Sequence, residues 1–135
     1  MPFTPPVVSA LTAGVLIVMQ MVLMLAVILA RRRNRQLLGD GGNPDMLLAI
    51  RRHGNFAENA ALFIAGFTLL ELADGHGPAL EIMCAVFVLA RISHAIGLSM
   101  PTTVNRFRLA GIVATVAVGT VLGVRLIRIG LPLLG

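Results

Sequence analysis

Arg51, Asn55 and Glu58 recur near the start of a long apolar stretch. At about 100° per residue on a helix they share an arc of roughly 60°, with Asn59 roughly 40° and Arg52 roughly 60° beyond its edge. Farther along, Arg91 and His94 lie one helical turn apart, and Arg106 and Arg108 open a further apolar segment. Guanidinium, amide, carboxylate and imidazole groups set into such segments can bind an anionic ligand or pair with one another. His53 and Glu71 project to the other side of the same helix, so separate roles are expected for them. His53, His76 and His94 fall on different faces or levels without ligand spacing, and no metal site is expected.

These groups have to be positioned by membrane-spanning helices. The chain has 135 residues, 57% of them hydrophobic and only 13% charged, too apolar for a soluble domain of this size. Its net charge of +5 comes from eleven arginines, with no lysine, against six acids. The arginines cluster beside apolar runs, which is the pattern of topology signals and not of a nucleic-acid surface; no nucleic-acid partner is expected. Trp and Tyr are absent, so no aromatic belt marks the interfaces. The single cysteine, Cys84, has no intramolecular disulfide partner and lies in an apolar run.

Residues 6–30 carry no charge and are long enough to span a bilayer. A cleaved signal peptide is the competing reading; the absence of a basic leader segment and the immediate Arg31-Arg32-Arg33-Asn34-Arg35 run favour a retained helix. The loop Gly39 to Asp45 ends in a helix start, with Asn43 as N-cap and Pro44 as first helical residue. A second helix over 45–73 is followed by the tight turn Asp74-Gly75-His76-Gly77-Pro78, and a third over 78–98 is ended by the segment Ser99 to Thr103. The fourth, 105–129, begins near Val104 or Asn105 and stops at Gly130-Leu131-Pro132. The expected fold is therefore an all-α, four-transmembrane-helix up-down bundle, a single unit over 1–135. Arginines near loops 1 and 3 mark the cytosolic side and place both termini on the non-cytosolic side. Gly119 and Gly123 form a small-xxx-small pattern that permits close helix approach. Arg125 and Arg128 are expected to snorkel to the outer interface.

Depth provides a second constraint. Glu58 lies about 10 Å inward from Arg51, and Arg91 about 10 Å inward from Leu98, at 1.5 Å per residue. On antiparallel helices these levels coincide, which predicts a buried Glu58–Arg91 ion pair joined by Asn55 and His94. Such a pair has two readings. It is polar glue that sets helix register, or it belongs to a basic recess for an anionic ligand, to which Arg51, Arg52, Asn59, Arg106 and Arg108 add cationic and amide groups beyond what one glutamate requires.

The run Gly39 to Pro44, the motif Ala49 to Asn59 with its R-x-H-x-N-x-x-E core, and the segment Ala90-Arg91-Ile92-Ser93-His94 resemble the MAPEG family, the membrane-associated proteins of eicosanoid and glutathione metabolism, and especially its small bacterial branch. The resemblance implies a homotrimer of four-helix bundles in a bacterial inner membrane, with glutathione as co-substrate bound between subunits toward the cytosolic side. It implies Arg51, Asn55, Glu58, Arg91 and His94 as glutathione-binding residues, and Arg106 or Arg108 as the catalytic cation that stabilises the thiolate. The partners implied are glutathione, a lipophilic small molecule and membrane lipid. The chain departs from the eicosanoid enzymes in having Gly54 where they have an arginine, and in having no tyrosine to contact glutathione. Two functions are consistent with this: a glutathione transferase or peroxidase-like enzyme acting on lipophilic electrophiles, or a non-catalytic trimeric scaffold or lipid-binding protein with a structural Glu-Arg pair.

Overall fold

The computed structural model describes residues 4–100 and 105–134, except for the Leu133 side chain. Four helices follow one another: α1, Val7–Asn34; α2, Pro44–Asp74; α3, Pro78–Gly97; and α4, Arg106–Gly130, with a short 3-10 turn at Leu131–Leu134. All four are long and apolar enough to cross a membrane, and the protein is an all-α, multi-pass membrane bundle. The expected terminator Pro101-Thr102-Thr103 and the alternative start Val104 lie outside the described residues.

Local chemistry accounts for the helix ends. The Asn43 side chain accepts from Asp45 N at 2.9 Å and Met46 N at 3.1 Å, and Pro44 occupies the first turn, where its missing N–H is not needed. Helix α1 runs four residues past the expected Ala30 and takes Arg31, Arg32 and Arg33 into its last turn. Cations there oppose the partial negative charge of the terminal carbonyls, so the basic run prolongs the helix instead of ending it.

The beginning of α1 is capped from a distance. Its N-cap, Pro6, has no side chain to offer. Glu71, near the end of α2 and only 5% exposed, supplies the missing acceptors: Val8 N donates to Oε1 at 3.0 Å and Ser9 N to Oε2 at 2.7 Å. A carboxylate at a helix N-terminus satisfies amides that have no partner of their own and meets the positive end of the helix dipole. Glu71→Ala should therefore lower stability by about 1–3 kcal/mol, the range for buried donors left unpaired. Thermal unfolding in detergent reads this loss, and Glu71→Gln, which retains one acceptor oxygen, should lose less.

Helix α1 packs mainly on α2 and α3 on α4, α2 also meets α3 and α4, α1 also meets α3, and α1 and α4 are not in contact among the described residues. The start of α1, the end of α2 and the end of α4 meet at one end of the bundle, where Arg125 Nη2 also pairs with Asp74 Oδ2 at 2.8 Å. Arg125 is thus held by an acid and not merely snorkelling. At the centre, the Phe63 and Phe87 rings stack with centroids 3.9 Å apart, and Phe67 meets both edge-on at 5.8 Å.

Lipid tails are as apolar as these side chains, so fit and not burial holds the helices together. Leu122 fills the space left by Gly66, where a Cβ would stand 2.8 Å from Leu122 Cδ2. Reciprocally, Phe63 sits over Gly119, whose Cβ would stand 2.9 Å from the Phe63 ring. Only half of the small-residue pattern serves this contact, because nothing lies within 4 Å of a Cβ at Gly123. His53 joins α2 to α1 through a 2.7 Å hydrogen bond between its Nε2 and Gln20 Nε2.

Candidate functional site

The closest helix approach in the bundle builds the polar recess. At Gly97 an added Cβ would stand 2.5 Å from Arg108 N, and at Gly111 it would stand 2.7 Å from Ala90 O and 2.9 Å from His94 N. Glycines at these two positions let the α3 and α4 backbones meet. Asn105 then fixes the register: its Oδ1 accepts from Arg108 N at 2.9 Å while its Nδ2 donates to Gly97 O at 2.8 Å. Ser93 Oγ adds a hydrogen bond to Phe107 O at 2.8 Å. The result is that Arg108, at the start of α4, is held beside His94.

Asn55 and Asn59 of α2, Arg91 and His94 of α3, and Arg108, Ile112, Thr115 and Val116 of α4 line one recess of about 230 Å³. The Asn55 amide donates to Arg51 O at 2.9 Å and the Asn59 amide to Asn55 O at 3.1 Å, which leaves their amide oxygens as acceptors. Arg91 is 4% exposed and its Nε has no hydrogen-bond partner among the described residues. A buried guanidinium donor without an acceptor is unfavourable, and a polar or anionic group in the recess would relieve it. The recess therefore combines two guanidiniums, an imidazole and two amides with an apolar wall from Ile112 and Val116, a lining suited to a small anion that carries an apolar or polarisable group.

Of the residues singled out in the sequence, Asn55, Arg91, His94 and Arg108 come together here and Arg51, Glu58 and Arg106 do not. Arg106 is exposed, with its guanidinium 5.5 Å from the neighbouring Phe107 ring centroid. The expected Glu58–Arg91 ion pair does not form within the chain, where the one ion pair among the described residues is Arg125 with Asp74. Glu58 and Arg51 are both exposed. The physical reason is rotational. The buried stripe of α2 consists of Phe56, Phe63, Phe67 and Leu70, and at about 100° per residue it centres roughly 90° from Asn55 in the direction of Asn59. Glu58 lies roughly 60° the other way, about 150° from the core. Asn55 and Asn59 stand at the edge of the packed face, and Arg51 and Glu58 stand beyond it.

Thr115 was not singled out in the sequence, although the spacing of Arg108, Ile112 and Thr115 is that of one helix face and could have pointed to it. Its hydroxyl donates to Gly111 O at 2.7 Å, leaving its lone pairs for the recess. Cys84 is buried in the aromatic core, away from the recess.

Neither a curated protein nor a solved structure matches the chain. The sequence profile of the MAPEG family matches residues 9–128 of the 135, which takes in all four helices except their outermost residues. A match of that extent, on a four-helix membrane bundle that gathers Asn55, Arg91 and His94 around one recess, shows that the chain belongs to the MAPEG family.

Proposed function

We propose that this protein binds glutathione in the recess between α2, α3 and α4 and acts as a glutathione transferase or peroxidase-like enzyme on lipophilic electrophiles that reach it from the bilayer. The observation that carries this reading is Arg91: a buried guanidinium whose Nε has no partner, in a recess that also presents His94, Arg108 and two asparagine amides. Glutathione supplies two carboxylates and a thiol. Arg91 would hold a carboxylate, the amide oxygens of Asn55 and Asn59 would accept from its ammonium or peptide N–H groups, and Arg108 would hold the thiol sulfur as its anion. A neighbouring cation lowers a thiol's pKa and raises the share of nucleophile at neutral pH.

Assembly into a homotrimer is part of the same reading. Its volume of about 230 Å³ is below the roughly 300–1,000 Å³ of small-molecule pockets, so one chain provides one wall. Glu58, exposed on a spanning helix, would cost several kcal/mol if it faced lipid, and a second copy of the chain is the natural cover for it. Glu58 and Arg91 do not pair within one chain, so a structural role for that pair would have to be met between copies. The arginine-rich end would face the cytosol, with both termini opposite, in a bacterial inner membrane.

Titrating the purified protein in detergent with glutathione, followed by thiolate absorbance and by elution volume, tests the proposal. Presented by a neighbouring copy, Glu58 would accept a hydrogen bond from the ammonium group of glutathione, so Glu58→Gln should weaken binding about tenfold or more with the assembly intact. Absence of binding and of thiolate in the unmodified protein would sink the enzyme reading, and an assembly that dissociates together with binding in Glu58→Gln would assign Glu58 to structure instead.

A further inference from the structure

The α1–α2 turn holds a basic cluster that the recess does not use. Helix α1 closes with Arg35 in the left-handed region at φ 51°, Arg35 N donating to Arg32 O at 3.4 Å and Gln36 N to Arg31 O at 3.1 Å. These are the two backbone bonds of a Schellman motif, whose left-handed position glycine occupies without strain and arginine does not. Arg31 folds over the reversed chain, its Nη1 donating to Leu37 O at 2.8 Å and Gly39 O at 3.2 Å, and Gln36 Nε2 bonds Leu38 O at 2.5 Å. The turn is thereby pinned beside the last turn of α1. Arg31 is occupied with carbonyls, whereas Arg32, Arg33 and Arg35 are exposed and none of them forms an ion pair among the described residues. The nearby acid Asp40 is turned into its own loop, accepting from Gly42 N at 3.0 Å.

In the same turn Leu37 is 87% exposed and Leu38 82%. Two fully exposed leucines beside three free guanidiniums make an amphipathic surface, and its level is set by α1. The charge-free run of α1 ends at Ala30, and 24 helical residues from Val7 cover about 36 Å, slightly more than a hydrocarbon core of about 30 Å. Because the chain folds back onto Arg31, Leu37 and Leu38 lie at the depth of the headgroups and not out in water.

We infer that this turn is a binding site for an anionic phospholipid, whose phosphodiester meets Arg32, Arg33 and Arg35 while Leu37 and Leu38 enter the acyl region of the same leaflet. A zwitterionic lipid would bring an ammonium toward the arginines and lose part of the attraction; phosphatidylglycerol does not. The inference is independent of the glutathione reading, since no residue of the turn lines the recess.

The test is lipid binding to the purified full-length protein, measured by native mass spectrometry with phosphatidylglycerol and phosphatidylcholine of identical chains. Phosphatidylglycerol should bind more tightly, and the triple variant R32Q/R33Q/R35Q should lose about fivefold for each arginine replaced while phosphatidylcholine binding stays level. L37S/L38S should weaken both lipids, and R32K/R33K/R35K should retain the preference. Should the glutamine variant fail to fold by circular dichroism, the unmodified protein decides: raising salt from about 50 to about 500 mM must weaken phosphatidylglycerol binding. Equal affinity for the two lipids, insensitivity to salt, or a preference that survives in the glutamine variant would each overturn the inference. Displacement of the lipid by free glycerol phosphate would overturn it too, by showing a phosphate site without a lipid anchor.

Discussion

Arg108→Gln is expected to lower kcat/KM for glutathione addition to a lipophilic electrophile by about 10²–10³-fold, the range for removing one group that stabilises a reacting anion. Arg106→Gln is expected to stay within about twofold of the unmodified protein, the size of a rim charge. The contrast follows from position. Arg108 lines the recess with Arg91 and His94, and its backbone N–H is held by Asn105; Arg106, two residues earlier, is exposed beside Phe107. In the role proposed for it the cation favours the thiolate, so Arg108→Gln should also move the pH–rate profile upward, with activity partly regained as pH approaches the pKa of about 8.5 of a free thiol. Equal losses in the two variants, or no change in the pH profile, would remove Arg108 from the role assigned to it.

Gly111→Ala is expected to destabilise the bundle by about 2–3 kcal/mol, the upper part of the range for overpacking. A methyl group there meets Ala90 O at 2.7 Å and His94 N at 2.9 Å, both backbone atoms that cannot move aside without separating α3 from α4. Separation would draw Arg108 away from His94, so ligand binding should fall along with stability. Gly66→Ala meets only the far end of Leu122 and should lose less. Gly123→Ala, with nothing within 4 Å, should be neutral or stabilise by up to about 1 kcal/mol through helix propensity. Thermal unfolding of the three variants in one detergent checks the order; a Gly111→Ala protein as stable as Gly123→Ala would show that the close approach of α3 and α4 is not what holds the recess.

The helices and their ends were largely legible in the sequence because the signals are local. A predominantly apolar stretch of about twenty residues defines a span, Asn43 followed by Pro44 defines a start, and Gly75 to Pro78 leaves room only for an antiparallel return. The shared face of Arg91 and His94 was legible for the same reason, as both lie one turn apart on a short helix that is buried on that side. Glu71 had no readable role, since its partners, the amides of Val8 and Ser9, lie some sixty residues away in the chain and leave no mark on the sequence around it.

By itself, then, the sequence determined four helices long and apolar enough to cross a membrane, and the family, because hydrophobic length and motif identity are properties of the chain alone. Which way the polar groups face was decided only by the tertiary structure. Helical spacing relates Arg51, Asn55 and Glu58 to one another but not to the core, and it is the packing of Phe56, Phe63 and Phe67 that turns Asn55 toward Arg91 and Glu58 away from it. That Arg108 and not Arg106 lines the recess was decided likewise, by the contact of Gly97 and Gly111 that fixes how α4 is rotated against α3.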